Sequence, residues 1–159
     1  MSQAMLHMLC GKMAAGKSTL TAELSRMPST VVISEDFWLR RLFGPEMKDV
    51  ADYVRYSRRL RDAVAPHVQE LLRIGVSVVL DFPANTLATR AWMRTLFDVA
   101  EADHCLHFID VPDEVCKARL RARNAAGTHD FAASDAGFDL ITSYFVPPSE
   151  AEGFKVVRR

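Results

Sequence analysis

One octapeptide constrains this chain more than any other part of it. Gly11-Lys12-Met13-Ala14-Ala15-Gly16-Lys17-Ser18 fits the pattern G-x-x-x-x-G-K-[ST] without a gap. A short apolar run, Met5 to Cys10, precedes it, and a helical pattern from Ser18 to Arg26 follows. The start of the chain is therefore committed to a strand, a tight loop and a helix. Such a loop turns its backbone N–H groups inward, where they cradle phosphate oxygens. Gly11 and Gly16 permit backbone angles and a close approach that a side chain would block. The helix behind the loop adds the positive end of its dipole. Lys17 is placed to reach β- and γ-phosphates, and the Ser18 hydroxyl to ligate Mg²⁺. The expected nucleotide-binding set is Gly11, Met13, Ala14, Ala15, Gly16, Lys17, Ser18 and Thr19. Lys12 is expected to be solvated and to have no role.

The remaining segments alternate. Thr30 to Ser34 reads as a second strand, Val76 to Asp81 as a third, Cys105 to Asp110 as a fourth and Phe154 to Arg158 as a last. A short helix or loop spans 36–44. A long helical pattern runs from about Asp49 to Ile74, with Val50, Val54, Leu60, Val64, Val68, Leu71 and Leu72 mostly on one face. Pro66 should kink it or divide it in two, and Gly75 stops it. Thr86 to Ala102 reads as a helix that turns Leu87, Ala91, Leu96 and Val99 to the core. Pro112 opens another, which runs to about Asn124 with Asp113 and Glu114 in its first turn. Residues 125–135 are small and polar, hence a loop, and 136–145 read as helical. Five strands separated by helices imply an α/β fold: a parallel sheet with helices on both faces, in three layers. No repeat, low-complexity tract or linker interrupts this pattern, so a single domain over 1–159 is expected.

Composition narrows the function. Twenty basic residues balance twenty acidic ones, which argues against a dedicated nucleic-acid binder. Among the basic residues are 15 Arg and only 5 Lys, and Arg is the better fork for phosphate and carboxylate oxygens. No apolar run approaches the ~18 residues of a membrane span. The first residues, MSQAMLHMLCGK, carry no basic leader, so no secretory signal is expected. Cys10, Cys105 and Cys116 form no CxxC or Cys/His cluster and read as reduced thiols of a cytoplasmic protein.

Ligands in open α/β sheets sit beyond the carboxyl ends of the strands, so acids at those ends are the candidates for chemistry. Asp36 follows the second strand and is the candidate base that orients an attacking hydroxyl, with Glu35 as its competitor. A plain helix cap is the other reading of Asp36. Phe37 and Trp38 stand beside it as walls of an acceptor pocket. Asp81 ends an apolar run, the pattern of a metal-holding acid. Asp110 reads as a helix entry before Pro112. Arg119 and Arg123 stand at i and i+4 and share a helix face from which they could clamp phosphates. Arg55, Arg58, Arg59 and Arg61 form a second cluster, read either as an anion site or as a solvated face. Arg90 is a candidate for the cleft. His7 and His107 alternate within strands and read as structural, while His129 lies in the small-residue loop.

These residues together resemble a group of small P-loop kinases, the zeta-toxin, chloramphenicol-phosphotransferase and polynucleotide-kinase-domain type, also known as AAA-like ATP-binding proteins. The likeness rests on GKMAAGKSTL at 11–20, ISEDFW at 33–38, VVLDFPANTLATR at 78–90, DVPDEVCKARLRAR at 110–123 and YFVPPSEAEGFKVV at 144–157. The resemblance implies a P-loop NTPase fold with strand order 2-3-1-4-5, ATP and Mg²⁺ as cofactors, and a short lid over about 124–135. It places the acceptor base at Asp36, a loosely matched site-lining pair at Asp81 and Asn85, and the lid arginines at Arg119 and Arg123. The expected activity is transfer of the γ-phosphate of ATP to a small-molecule hydroxyl, with Asp36, Trp38, Asn85 and Arg90 on the acceptor side. A nucleotide or polynucleotide 5′-hydroxyl kinase and an ATP-binding switch with slow hydrolysis are the alternatives.

Overall fold

Strand β1, Met5–Cys10, is sealed from solvent over all but its first residue. The structure is a computed structural model that describes residues 3–127 and 134–159. Four further strands, β2 (Thr30–Ser34), β3 (Ser77–Pro83), β4 (Asp103–Phe108) and β5 (Val156–Arg158), join β1 in one parallel sheet of order β2-β3-β1-β4-β5. This is the order that the resemblance implies. The period-2 alternation of β1 divides the core in two. Leu6, Met8 and Cys10 face α2 (Glu35–Phe43), α3 (Val50–Arg73) and α4 (Leu87–Ala100), through residues such as Leu39, Leu60, Val68, Met93 and Leu96. Leu9 faces the other way, with Leu20 and Leu24 of α1 (Lys17–Ser25), Cys116 and Leu120 of α5 (Asp113–Ala126) and Phe138 of α6 (Asp135–Thr142). Among the described residues no helix is long and apolar enough to cross a membrane. All three cysteines are free, and burial pushes the Cys10 thiol up to about 11.

Three local expectations are corrected. Pro66 does not divide α3, which is one helix of 24 residues. The missing N–H of Pro66 costs one hydrogen bond. A buried seam of Tyr56, Leu60, Val64, Val68 and Leu72, stepping by four, holds the helix to the sheet on both sides of that break. Val50 and Val54 lie off the seam and are exposed. On α4 the buried face is Thr89, Arg90, Met93, Leu96 and Phe97, and Leu87, Ala91 and Val99 face solvent.

The α4 face was hidden in the sequence by its arginine. Arg90 is fully buried, with its Nε and Nη2 donating to the two carboxylate oxygens of Glu152 at 2.8 and 3.2 Å. Its Nη1 donates to the carbonyl of Ala84 at 2.9 Å. Every part of the guanidinium is committed to this scaffold, so Arg90 is not a cleft residue. The pair fastens the segment after α6 to the root of α4, and Val146 N–H adds a bond to the Asn85 carbonyl at 2.9 Å. Loss of one partner from a buried pair of this kind costs about 3–5 kcal/mol.

On the α1/α5 side of the sheet, His7 and His107 meet across β1 and β4, Nδ1 to Nε2, at 3.0 Å. The Arg159 guanidinium lies 3.2 Å from His107 Nδ1 and can only donate, so Nδ1 accepts and Nε2–H donates to His7. A second proton on His107 would face that guanidinium. Burial, His7 and Arg159 together lower its pKa to about 4. Burial also lowers those of His7 and His104. The unfolded chain then binds more protons between pH 4 and 6.5, so stability is full above about pH 6.5 and falls as the pH drops toward 4. Urea unfolding across that window should lose on the order of 1–3 kcal/mol through His107, and the His107→Gln variant should show a shallower loss.

Candidate functional site

The phosphate-type loop, residues 11–16, leaves the carboxyl end of the central strand and turns into the first residue of α1. Two of its residues adopt left-handed backbone angles, Ala14 at φ 60° and Gly16 at φ 112°. At Gly11 a Cβ would come within 3.3 Å of both the Ala15 Cβ and the Ile109 carbonyl oxygen, so a side chain there would be crowded and its neighbours would have to give by a few tenths of an ångström. The Ala15 N–H bonds the Lys12 carbonyl at 3.1 Å and closes the turn. The Lys17 ammonium donates to the carbonyl of Gly11 and to that of Lys12, the latter at 3.1 Å. Burial lowers its pKa, and the Asp81 and Asp36 carboxylates act against that shift.

Other elements hold the loop in place. Asn85 clasps Gly11 with both ends of its amide: Oδ1 accepts from the Gly11 N–H at 3.0 Å and Nδ2 donates to the Gly11 carbonyl at 2.9 Å. Asn85 is thus a support of the loop before it is a wall of any pocket. Arg119 donates to the carbonyls of Ala14 and Ala15 at 3.4 and 3.3 Å. Arg123, one turn on, has its Nε buried with no hydrogen-bond partner among the described residues. Arg121 points elsewhere, to Asp135. Lys12 is not solvated. It pairs with Asp113 at 2.5 Å and stands 5.7 Å from the Phe145 ring centroid. The lid expected at 124–135 falls in good part on residues 128–133, as does His129, and these lie outside the described residues.

The two neighbouring acids of α2 separate in environment. Ser34 caps the helix, its hydroxyl accepting from the Phe37 N–H at 3.5 Å, so Asp36 is not the cap. Glu35 is buried, with one carboxylate oxygen accepting from the Tyr53 hydroxyl and the other from Ser57 at 2.9 Å. Burial raises its pKa, which the two hydroxyl donors oppose. Both its oxygens are taken. Asp36 is exposed and carries its charge close enough to act on Lys17 and Asp81. Asp81 does not end its strand. β3 continues to Pro83, and the pairing with β1 jumps from Met8–Leu80 to Leu9–Pro83. Asp81 and Phe82 therefore form a bulge beside the loop, a device that re-aims side chains. The half-buried Asp81 carboxyl has its pKa raised by burial, opposed by a bond from Ser34 and by Lys17.

A cavity of about 450 Å³ opens next to Lys17. Lys12 and Asn85 bound it on the loop side, Tyr53 and Arg61 on α3, and Leu140, Tyr144 and Phe145 on the segment through α6. Trp38 does not line it. Phe37 lies instead under the Arg41 guanidinium, 4.3 Å from its ring centroid. Aromatic walls are present, but from Tyr53, Tyr144 and Phe145. A second cavity, of about 170 Å³, lies on the far side of the loop and is lined by Gly16, Thr19, Leu20, Glu23, Ile109 and Arg159.

Sequence reasoning missed Tyr53 and the Tyr144-Phe145 pair, and named Arg61 only as one of a cluster of four arginines. A signal for Arg61 was available. Arg55 has Asp52 at i−3 and bonds it at 3.2 Å, and Arg58 and Arg59 both have Asp62 within helical reach. Arg61 alone in its cluster has no acid at i±3 or i±4.

The donor atoms suit a hard cation. The Ser18 hydroxyl and the Asp36 and Asp81 carboxylates offer oxygen only. Mg²⁺ is bound through one or two carboxylates with substrate phosphates and water completing the shell. Among the described residues no three His, Cys, Asp or Glu side chains gather as a self-sufficient metal site. Replacement of Asn85 by Ala should weaken binding of the ATP analogue AMPPNP about tenfold by calorimetry, because both hydrogen bonds to Gly11 are lost. Wild-type affinity in that variant would show that the clasp does not hold the loop's binding shape.

The family model described as an AAA domain matches residues 6–148. Among solved structures, the chain is similar to a provisionally assigned kinase from Chloroflexus aurantiacus, with a TM-score of 0.78 and 18% identity over 99% of this chain and 88% of that one. It is similar to the APS kinase CysC of Mycobacterium tuberculosis, solved with AMPPNP and APS, with a TM-score of 0.58 and 19% identity over 99% and 90%. It is also similar to Kti12 of Chaetomium thermophilum, solved with ADP-AlF3, with a TM-score of 0.68 and 14% identity over 96% and 88%. At these identities the likeness establishes the fold. A search of curated proteins finds no match.

Proposed function

Because the chain belongs to the AAA-domain family and has the fold of P-loop kinases, we propose that it is an ATP-dependent phosphotransferase acting on a hydroxyl of a small molecule. The observation that carries this reading is the position of Lys17. It stands between the phosphate-type loop and the 450 Å³ cavity, within range of the Asp36 and Asp81 charges.

In this reading the amides of residues 11–16 and the N-terminal end of α1 hold the β- and γ-phosphates of ATP. Lys17 leaves its carbonyl partners for the phosphate oxygens. Ser18 and Asp81 would hold Mg²⁺, which supplies charge neutralisation across the β- and γ-phosphates when bound. Arg119 and Arg123 reach the triphosphate from α5. The acceptor sits in the cavity with its hydroxyl at the Lys17 end. Asp36 does not line the cavity and would meet the hydroxyl from beyond that end, where its charge acts on Lys17. The acceptor oxygen forms a bond to the γ-phosphorus, the bond from that phosphorus to the β,γ-bridging oxygen breaks, and ADP leaves. The hydroxyl proton passes to the Asp36 carboxylate. Catalysis is then positioning together with electrostatic stabilisation.

A nucleotide or polynucleotide kinase would draw on the whole Arg55–Arg61 cluster. That reading has less support, since Arg55 is paired with Asp52 and only Arg61 lines the cavity. The cavity itself argues against a switch that has no acceptor.

The test is a screen of small-molecule alcohols with radiolabelled ATP, followed by Asp36→Asn on the acceptor found. The variant should lower kcat about 10²–10³-fold. Transfer at the wild-type rate by folded variant protein would remove Asp36 from the base role, and ATP hydrolysis with no acceptor in the screen would favour the switch.

A further inference from the structure

The acceptor cavity is mostly apolar, and one cation in it has no ion pair among the described residues. Val50, Leu140 and Tyr144 at its rim are 78%, 63% and 69% exposed, an apolar border that an apolar ligand would cover. Of the three cations that line the cavity among the described residues, Lys12 is paired with Asp113 and Lys17 is bound to backbone carbonyls. Arg61 is different. Its Nε is buried without a hydrogen-bond partner, and it makes no ion pair among the described residues. Its guanidinium carbon stands 5.7 Å from the Trp92 ring centroid, a contact that steadies the plane of the group. Glu35, whose carboxyl feels the Arg61 charge, has both oxygens committed to Tyr53 and Ser57. Among the described residues no Asp or Glu lines the cavity.

The Nε is closed off from the cavity, so an anion there would meet the guanidinium at its two terminal nitrogens, for which no ion pair is present among the described residues. A planar guanidinium fork matches a carboxylate in two parallel hydrogen bonds. We infer that Arg61 anchors a carboxylate of the phosphate acceptor, which is a small alcohol with an aromatic or branched apolar body and one acid group. This rests on the phosphotransferase reading above. The cavity admits one small molecule. The acid end lies at Arg61 and the hydroxyl end at Lys17. A carboxylate fits better than a phosphate ester, because a dianion would have one guanidinium to meet it and the Glu35 charge to oppose it.

Three matched probes test the assignment: para-(hydroxymethyl)benzoate, its methyl ester, and para-(hydroxymethyl)phenyl phosphate. Each is titrated by ligand-observed NMR into the full chain and its variants, and each is then offered as acceptor with ATP. The acid should bind about tenfold tighter than the ester, and more tightly than the phosphate. Arg61→Met should erase the difference between acid and ester, and Arg61→Lys should keep part of it. Where Arg61→Met fails to fold, Arg61→Lys and Arg61→Gln carry the comparison. Equal binding of acid and ester, no binding of the acid, tighter binding of the phosphate, or discrimination that survives the loss of the guanidinium overturns the inference. Acid-selective binding without transfer from ATP contradicts the phosphotransferase reading and leaves the Arg61 assignment standing. Transfer with no preference for the acid does the reverse.

Discussion

The Lys17 ammonium stands at the end of the central strand, hydrogen-bonded among the described residues to the carbonyls of Gly11 and Lys12. A half-buried cation in that position is a poor arrangement for the chain alone and a good one for a polyanion that displaces the carbonyls. The rest of the molecule is arranged around this constraint. β1, shielded by helices on both faces, fixes where the loop begins. Asn85 fixes the backbone of Gly11, Arg119 fixes the carbonyls of Ala14 and Ala15, and the bulge in β3 delivers Asp81 to the same place. These supports come from separate parts of the chain, so the shape of the loop is a property of the fold and not of the octapeptide alone.

The two sides of the site differ in how they are built. The nucleotide side is local: residues 11–18 supply most of it. The acceptor side is assembled from α3, the root of α4 and the segment that ends α6. That segment is held by the buried Phe138, the stacking of Phe145 on Phe108, the Arg90–Glu152 pair and the Val146–Asn85 bond. The same Asn85 whose side chain clasps Gly11 thus has its backbone tied to the acceptor wall. This asymmetry explains why similar loops serve many reactions, since the acceptor wall can vary without disturbing the loop.

It also explains what was legible in the sequence. The octapeptide revealed itself because its chemistry is written in consecutive residues, and β2 was readable because Thr30 to Ser34 is β-branched and bounded by turn residues. Strand order came from resemblance, because pairing between distant strands leaves no mark on either. The inward face of α4 was misread because its central residue, Arg90, is charged, and only Glu152, 62 positions later, makes its burial tolerable. Asp81 was taken as a strand end because a bulge is a matter of register with a neighbour. Trp38 was taken as a pocket wall from its place beside Asp36, whereas successive residues of a helix point in different directions and the walls come from Tyr53 and Tyr144.

The central claim is that the loop from Gly11 to Gly16 holds a triphosphate through Lys17. Calorimetric titration of AMPPNP with magnesium into the full chain and into Lys17→Met measures it directly. The account predicts saturable binding by the wild type, weakened about 10–100-fold when the ammonium is removed. Absence of heat with any purine triphosphate, or equal affinity in the two proteins, would contradict it.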